Sequence, residues 1–255
     1  MPADTFSLTG RTALITGAGT GIGRAIANAL ADAGAFVGVH CHRSVAGANE
    51  TLDAIRTRGG DGVVLSADLA NADQARQLVD QFVSAAGRLD ILVNNAGSPI
   101  ERRSIEDCPL ELWRQVLDVN LTSAFLVTQR AIPHLKISGH GAIVNNLSLS
   151  VQTGGANGAG AYAVAKGGLQ VLTRTLAREL APNVRVNAIM PGVIETPHHK
   201  LFTTPERMEQ YRRETPLGRN GTAEEVASTV LFLVSDAARF MTGALLDING
   251  GRFLR

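Results

Sequence analysis

The chain has 255 residues, 45% of them hydrophobic and 18% charged, which is enough to bury one large core or two small ones. Its formal net charge of +1 excludes a global field that would draw it to nucleic acid or an anionic membrane, so a phosphate-bearing ligand has to be gripped locally. Cys41 and Cys108 have neither the number nor the spacing of a disulfide framework or a zinc site, and no segment reads as an export signal or membrane span, so the expected setting is the reducing cytoplasm with no metal bound.

Short apolar runs bounded by Gly, Asn or Asp predict strands at TALIT (12–16), AFVGVH (35–40), GVVLSAD (62–68), LDILVN (89–94), GAIVNN (141–146), VRVNAI (184–189) and ALLDI (244–248). Helical periodicity fills the gaps near 21–34, 45–59, 71–86, 108–136, 161–181 and 222–235. Asn71 and Thr222 precede their helices as N-caps, with Gln74 and Glu225 three residues on, as a capping box requires. Strands alternating with helices predict a single α/β domain over 1–255, a doubly wound (Rossmann-type) seven-stranded parallel sheet with helices on both faces. The stretch 191–221 holds Pro191, Pro197, Pro205 and Pro216 and reads as a long irregular loop that covers a ligand.

Directly after the first strand comes TGAGTGIG, Thr16 to Gly23, and then a helix. Gly17, Gly21 and Gly23 allow a tight turn, close backbone approach to a pyrophosphate and close helix packing, while the helix N-terminus offers N–H groups and a positive dipole end. The spacing G-x-x-x-G-x-G differs from G-x-G-x-x-G, and a glycine turn that binds nothing is the bland alternative. At the end of the second strand, VHCHRS (39–44) contains no carboxylate for the ribose hydroxyls of NAD; Arg43 and Ser44 instead offer a charge-assisted bond and a hydroxyl to the 2′-phosphate of NADP. NADP(H) is therefore favoured, NAD(H) stays possible, and Arg43 as an ordinary solvated residue is the competing reading. Asp68, ending the third strand, is placed to bond the adenine amino group, with Leu69 beside it.

A glycine-rich run after Ser148, too flexible for a helix, leads into Tyr162 and Lys166. At i and i+4 the pair shares one helix face. Hydride transfer to a carbonyl leaves an alkoxide that needs a proton, and a tyrosine near a cation has its phenolate favoured enough to exchange one. Tyr162 is thus the candidate acid/base and Lys166 its modulator.

The motifs TGAGTGIG (16–23), NNAG (94–97), DVNLTS (118–123), IVNNLS (143–148), YAVAK (162–166), PGVIET (191–196) and DINGG (247–251), in that order, make nearly the whole chain resemble the classical short-chain dehydrogenases/reductases, including their 3-oxoacyl-thioester reductase and carbonyl reductase members. The resemblance implies Tyr162 as acid/base, Lys166 on the cofactor ribose, a serine on the substrate oxygen and Asn120 holding a water that links Lys166 to solvent. It also implies that Asn94 and Gly97 line the cofactor cleft and that Ile194 and Thr196 contact the nicotinamide amide. Together with the glycine turn and the ends of the second and third strands, the expected cofactor set is Gly17, Thr20, Gly21, Ile22, Gly23, Arg43, Ser44, Asp68, Leu69, Asn94, Ala96, Gly97, Tyr162, Lys166, Pro191, Gly192, Ile194 and Thr196. Family members often read IVNISS, with the second serine thirteen residues before the tyrosine, a position that is Leu149 here. Strand alignment selects Ser148, one residue further back, with Ser150 as the alternative.

The substrate pocket is expected between 98–100, 149–155 and the loop from 193 to about 211, with His198 and His199 within reach of a polar substrate or simply exposed. Members of the resembled family that reduce carrier-bound 3-oxoacyl thioesters tend to carry basic residues near the ends of the long helix and the catalytic helix; Lys136 and His140 give half of that pattern, while Asn183 stands where the other half needs a cation. The expected activity is NADP(H)-dependent hydride transfer to a small carbonyl or from a secondary alcohol; an NAD-dependent polyol, sugar or alcohol dehydrogenase and a cofactor-binding regulatory protein are the alternatives. Wide apolar arcs on the helices at 108–136 and 161–181 leave either deep burial or subunit pairing open, and the resemblance implies a homotetramer.

Overall fold

The computed structural model describes residues 3–197 and 203–254. Its strands are β1 Thr12–Ile15, β2 Phe36–Cys41, β3 Gly62–Ser66, β4 Ile91–Asn94, β5 Gly141–Asn146, β6 Val184–Pro191 and β7 Leu245–Ile248. All pair in parallel, in the order β3-β2-β1-β4-β5-β6-β7, so the expected doubly wound sheet is what forms. The helices are α1 Gly21–Asp32, α2 Val45–Thr57, α3 Ala72–Ala86, α4 Leu110–Leu117, α5 Ser123–Ile137, α6 Ser150–Thr153, α7 Gly160–Glu179, α8 Pro205–Glu214 and α9 Ala223–Val234.

Period-two alternation sorts the strand side chains onto two cores. Ala13 and Ile15 of β1, Ile91 and Val93 of β4, and Ala142 and Val144 of β5 face α1 and α9, while Leu14, Leu92 and Ile143 face α3, α5 and α7. Strand order reverses between β1 and β4, and a sheet of this kind opens its ligand crevice outside the strand C-termini at that reversal.

The structure departs from the sequence-based boundaries in three places. The helix expected over 108–136 breaks into α4 and α5 around a π-helical turn, Asp118–Thr122. The cause is Asn120, whose Nδ2 donates to the Val116 carbonyl at 2.8 Å and so occupies the oxygen that an unbroken α-helix would offer to the Asn120 N–H. Four residues of the flexible run after Ser148 form the short helix α6, and the irregular stretch 191–221 contains α8, whose cap Thr204 and first-turn Pro205 are favourable start signals. The Thr222–Glu225 capping box forms in full. Asn71 caps α3 as expected, but Gln74 turns away to accept from the Asp68 N–H at 2.7 Å.

Candidate active site

The crevice is a cavity of about 610 Å³ running over the C-terminal ends of the strands. At one end lies the turn from β1 to α1. Gly17 and Gly21 have φ of +66° and +54°, where a side chain is strained, and a Cβ on Gly23 would stand 2.2 Å from the Gly17 carbonyl oxygen. Thr20 caps α1 without a side-chain bond. A negatively charged group can thus come against backbone N–H groups at a helix N-terminus, which is what a dinucleotide pyrophosphate needs.

Two neighbours that the sequence reading did not single out shape this turn. The Gly17 N–H donates to His40 Nδ1 at 3.0 Å, and His40 Nε2 lies 3.1 Å from the Ala67 carbonyl. Asn95 Nδ2 donates to the carbonyls of Thr16 and Gly17 at 2.9 and 3.2 Å. Asn95 lines the cavity, whereas Asn94, expected there, does not. Asn94 is buried in the sheet and donates to Thr128 Oγ1 and Asn145 Oδ1, both at 2.9 Å, because its side chain leaves β4 toward α5. The two asparagines of NNAG are adjacent, so alternation sends one to the crevice and the other to the core.

Thr20, Ile22, Asp68, Leu69, Ala96, Gly97, Pro191, Gly192, Ile194 and Thr196 all line the cavity. Arg43 and Ser44 do not; both are exposed, and His42 holds the lining position at the end of β2, 3.8 Å from Asp68. His198 and His199 lie outside the described residues.

At the other end the catalytic candidates meet. Ser148, just past the end of β5, lies within hydrogen-bonding reach of Tyr162 from α7, while Ser150 begins α6, with 3.1 Å between the two serine hydroxyl oxygens. The geometry therefore sets Ser148, and not Ser150, against the tyrosine. Desolvation pushes the Tyr162 hydroxyl up to about 12, opposed by the Ser148 hydrogen bond and by the charge of Arg102. Lys166, 2% exposed, is brought down to about 8 by burial. Its ammonium lies 5.7 Å from the Tyr162 ring centroid and donates to the Asn146 carbonyl at 2.7 Å. Arg102 thus acts electrostatically on Tyr162 in a role that the sequence reading gave to Lys166 alone.

Asn120 is buried; its Nδ2 donates to the Ser98 carbonyl at 2.7 Å and its Oδ1 accepts from the Ser98 N–H at 2.9 Å. A Cβ on Gly97 would stand 2.6 Å from Asn120 Oδ1 and 3.0 Å from Lys166 Nζ, so these two groups flank the same glycine. A relay of side chains joins the two ends of the cavity: Asn146, whose carbonyl holds Lys166, donates from Nδ2 to Asn95 Oδ1 at 3.0 Å, and Asn95 holds the Gly17 turn.

The family model described as enoyl-(acyl carrier protein) reductase matches residues 17–252. The chain is 39% identical over 250 residues to the 2-dehydro-3-deoxy-D-gluconate 5-dehydrogenase of Bacillus subtilis, covering 97% of this chain and 96% of that one. Among solved structures it is similar to a 7α-hydroxysteroid dehydrogenase complexed with NADH and 7-oxo glycochenodeoxycholic acid (TM-score 0.93, 34% identity, 98% and 97% of the two chains). It is also similar to a short-chain dehydrogenase from Burkholderia cenocepacia in complex with NADP (TM-score 0.89, 33% identity, 96% and 98%). The glycine turn, the Ser148–Tyr162–Lys166 cluster and these matches agree: the chain belongs to the short-chain dehydrogenase/reductase family and is an NAD(P)-dependent oxidoreductase acting on CH–OH and C=O groups.

Proposed function

We propose that the protein is an NADP(H)-dependent reductase of a small carbonyl substrate, with Tyr162 as the proton donor. When bound, the nicotinamide supplies the hydride. The reading is carried by the convergence of Tyr162, Ser148 and Lys166 on a cavity whose other end is a glycine turn shaped for a pyrophosphate. Ser148 orients the substrate oxygen toward the Tyr162 hydroxyl, and Tyr162 gives that oxygen a proton as negative charge develops on it. Lys166 fixes the cofactor ribose and, through its position 5.7 Å from the ring, favours the phenolate that remains. With Tyr162 neutral up to about 12 and Lys166 charged below about 8, both groups hold their protons at neutral pH, the state that reduction consumes. Asn120 holds the Ser98 backbone beside Lys166.

Preference for NADP(H) is supported by the lack of a carboxylate in residues 39–44 and by His42 in the lining, with Arg43 and Ser44 exposed next to it. The test is titration with NADPH and NADH followed by a turnover screen of ketones, 3-oxoacyl thioesters and sugars. A tenfold preference for NADPH, about 1.4 kcal/mol, reduced by Arg43→Ala or His42→Ala, supports the assignment. Preference for NADH overturns it and favours alcohol or polyol oxidation. Tyr162→Phe is expected to abolish turnover while NADPH still binds; retained turnover refutes the role of Tyr162.

In this reading the chain works as one domain in a cytoplasmic setting, with the segment 191–221, including α8, covering the substrate. It assembles as a homotetramer, supported by exposed Phe125 on α5 and Val164 and Val171 on α7. Analytical ultracentrifugation measures the assembly directly, and a monomer would exclude it.

A further inference from the structure

The cavity carries more positive charge than hydride transfer needs. Arg102, Arg207 and Arg252 line it together with Tyr162 and Lys166, and the lone carboxylate among the lining residues, Asp68, sits beyond β3 near the glycine turn. Arg207 and Arg252 both lie over the Tyr211 ring, 4.9 and 4.4 Å from its centroid. Arg252 is held by Glu214 through Nη2, yet its Nη1 is buried with no hydrogen-bond partner.

Arg102 stands out further. Its Nε is buried without a partner, and among the described residues it makes no hydrogen bond or ion pair, while its neighbour Arg103 pairs with Glu101 at 2.5 Å. Its charge reaches Tyr162. The segment that carries it is fixed at both sides: Ile100 sits at φ +60°, strained for a β-branched residue, with its N–H on Ser98 Oγ at 3.0 Å, and the Arg103 N–H donates to the Gly158 carbonyl at 3.0 Å. A guanidinium N–H buried without an acceptor is unfavourable unless a ligand oxygen supplies one.

We propose that the substrate is a carboxylic acid, an oxo acid in the reduction direction and a hydroxy acid in the other, whose carboxylate is held by Arg102 beside the reacting carbon. Arg207 raises the positive potential of the same pocket, while the charge of Arg252 is met by Glu214. The planar guanidinium fork matches the two oxygens of a carboxylate. The proposal names the substrate class of the hydride-transfer site and so rests on that reading.

The test uses matched pairs, acetoacetate against methyl acetoacetate, 4-oxopentanoate against its methyl ester, and D-gluconate against D-glucitol, with wild type, R102Q and R102K. The expected result is a kcat/KM at least tenfold higher for the acid of a pair, carried by KM, collapsing in R102Q and partly kept in R102K. Preference for the neutral member, or an acid preference that survives in R102Q, overturns the proposal. An independent arm titrates malonate into the NADP+ complex: wild type should bind at least tenfold more tightly than R102Q. Equal binding, or inorganic phosphate binding more tightly than malonate, also overturns it. Malonate binding needs no turnover, so absent catalysis with intact malonate discrimination would fault the proposed reduction and leave the carboxylate site standing.

Discussion

The Gly17 amide donates to Nδ1 of His40 across 3.0 Å, and that bond sets the tautomer of a buried imidazole whose Nε2–H then faces the Ala67 carbonyl at 3.1 Å. One side chain of β2 thereby holds the glycine turn after β1 and the chain leaving β3. Burial lowers the His40 pKa from 6.5 to about 4, with His42 adding to the shift and the Ala67 bond opposing it.

A depressed histidine binds its proton more readily in the unfolded chain, so stability is fully present above about pH 6.5 and is lost as pH falls toward 4, by about 3 kcal/mol for this group. Urea unfolding at pH 7 and pH 4.5 should show a steeper loss in wild type than in His40→Gln. Equal slopes would mean that His40 is not the titrating group. His40→Ala should also weaken binding of the nicotinamide cofactor, since it leaves the Gly17 N–H without its acceptor.

Gly97→Ala places a methyl group 2.6 Å from Asn120 Oδ1 and 3.0 Å from Lys166 Nζ. Neither partner has room to yield, because Asn120 is committed to Ser98 and Val116 and Lys166 to Asn146. Overpacking of about 1–3 kcal/mol is expected, together with a fall in kcat of about a hundredfold from displacement of Lys166. Urea midpoints and steady-state kinetics measure both, and wild-type kcat would show that Lys166 does not depend on this spacing.

Ser148→Ala and Ser150→Ala separate two hydroxyls 3.1 Å apart. Removing the one that faces Tyr162 should lower kcat by about 10²–10³. Removing the other should cost about 1 kcal/mol, the value of one hydrogen bond. The opposite ranking would transfer the substrate-binding role to Ser150.

Lys166, brought down to about 8, is charged at neutral pH and loses its proton above that value. For carbonyl reduction, kcat/KM should therefore stay level near pH 7 and decline as pH rises past about 8. A profile flat to pH 9.5 would exclude Lys166 from the proton-holding set.

Much of this site could be read along the chain because the elements that build it are local. The glycine turn sits between a strand and the helix that follows it, and Tyr162 and Lys166 lie one helical turn apart. The capping box at Thr222 likewise needs only its own four residues. Other features depended on neighbours remote in sequence. Asn94 and Asn95 were indistinguishable until β4 had a register, and Gln74 left its capping position because Asp68 offered a backbone donor. The break at Asn120 arose from a side chain competing for the Val116 carbonyl, where periodicity alone predicts an unbroken helix.

By itself the sequence determined the parallel doubly wound sheet, the glycine turn and the Tyr162–Lys166 pair, because hydrophobic period and short-range spacing act within single elements. Tertiary structure decided that Ser148 faces the tyrosine, that His40 and Asn95 hold the turn, and that His42 lines the cavity in place of Arg43. It also brought Arg102 from the segment after β4 into one cavity with Arg252 near the C-terminus. Those relations join residues far apart in the chain, and only the packing of strands and helices fixes such distances and withdraws such groups from water.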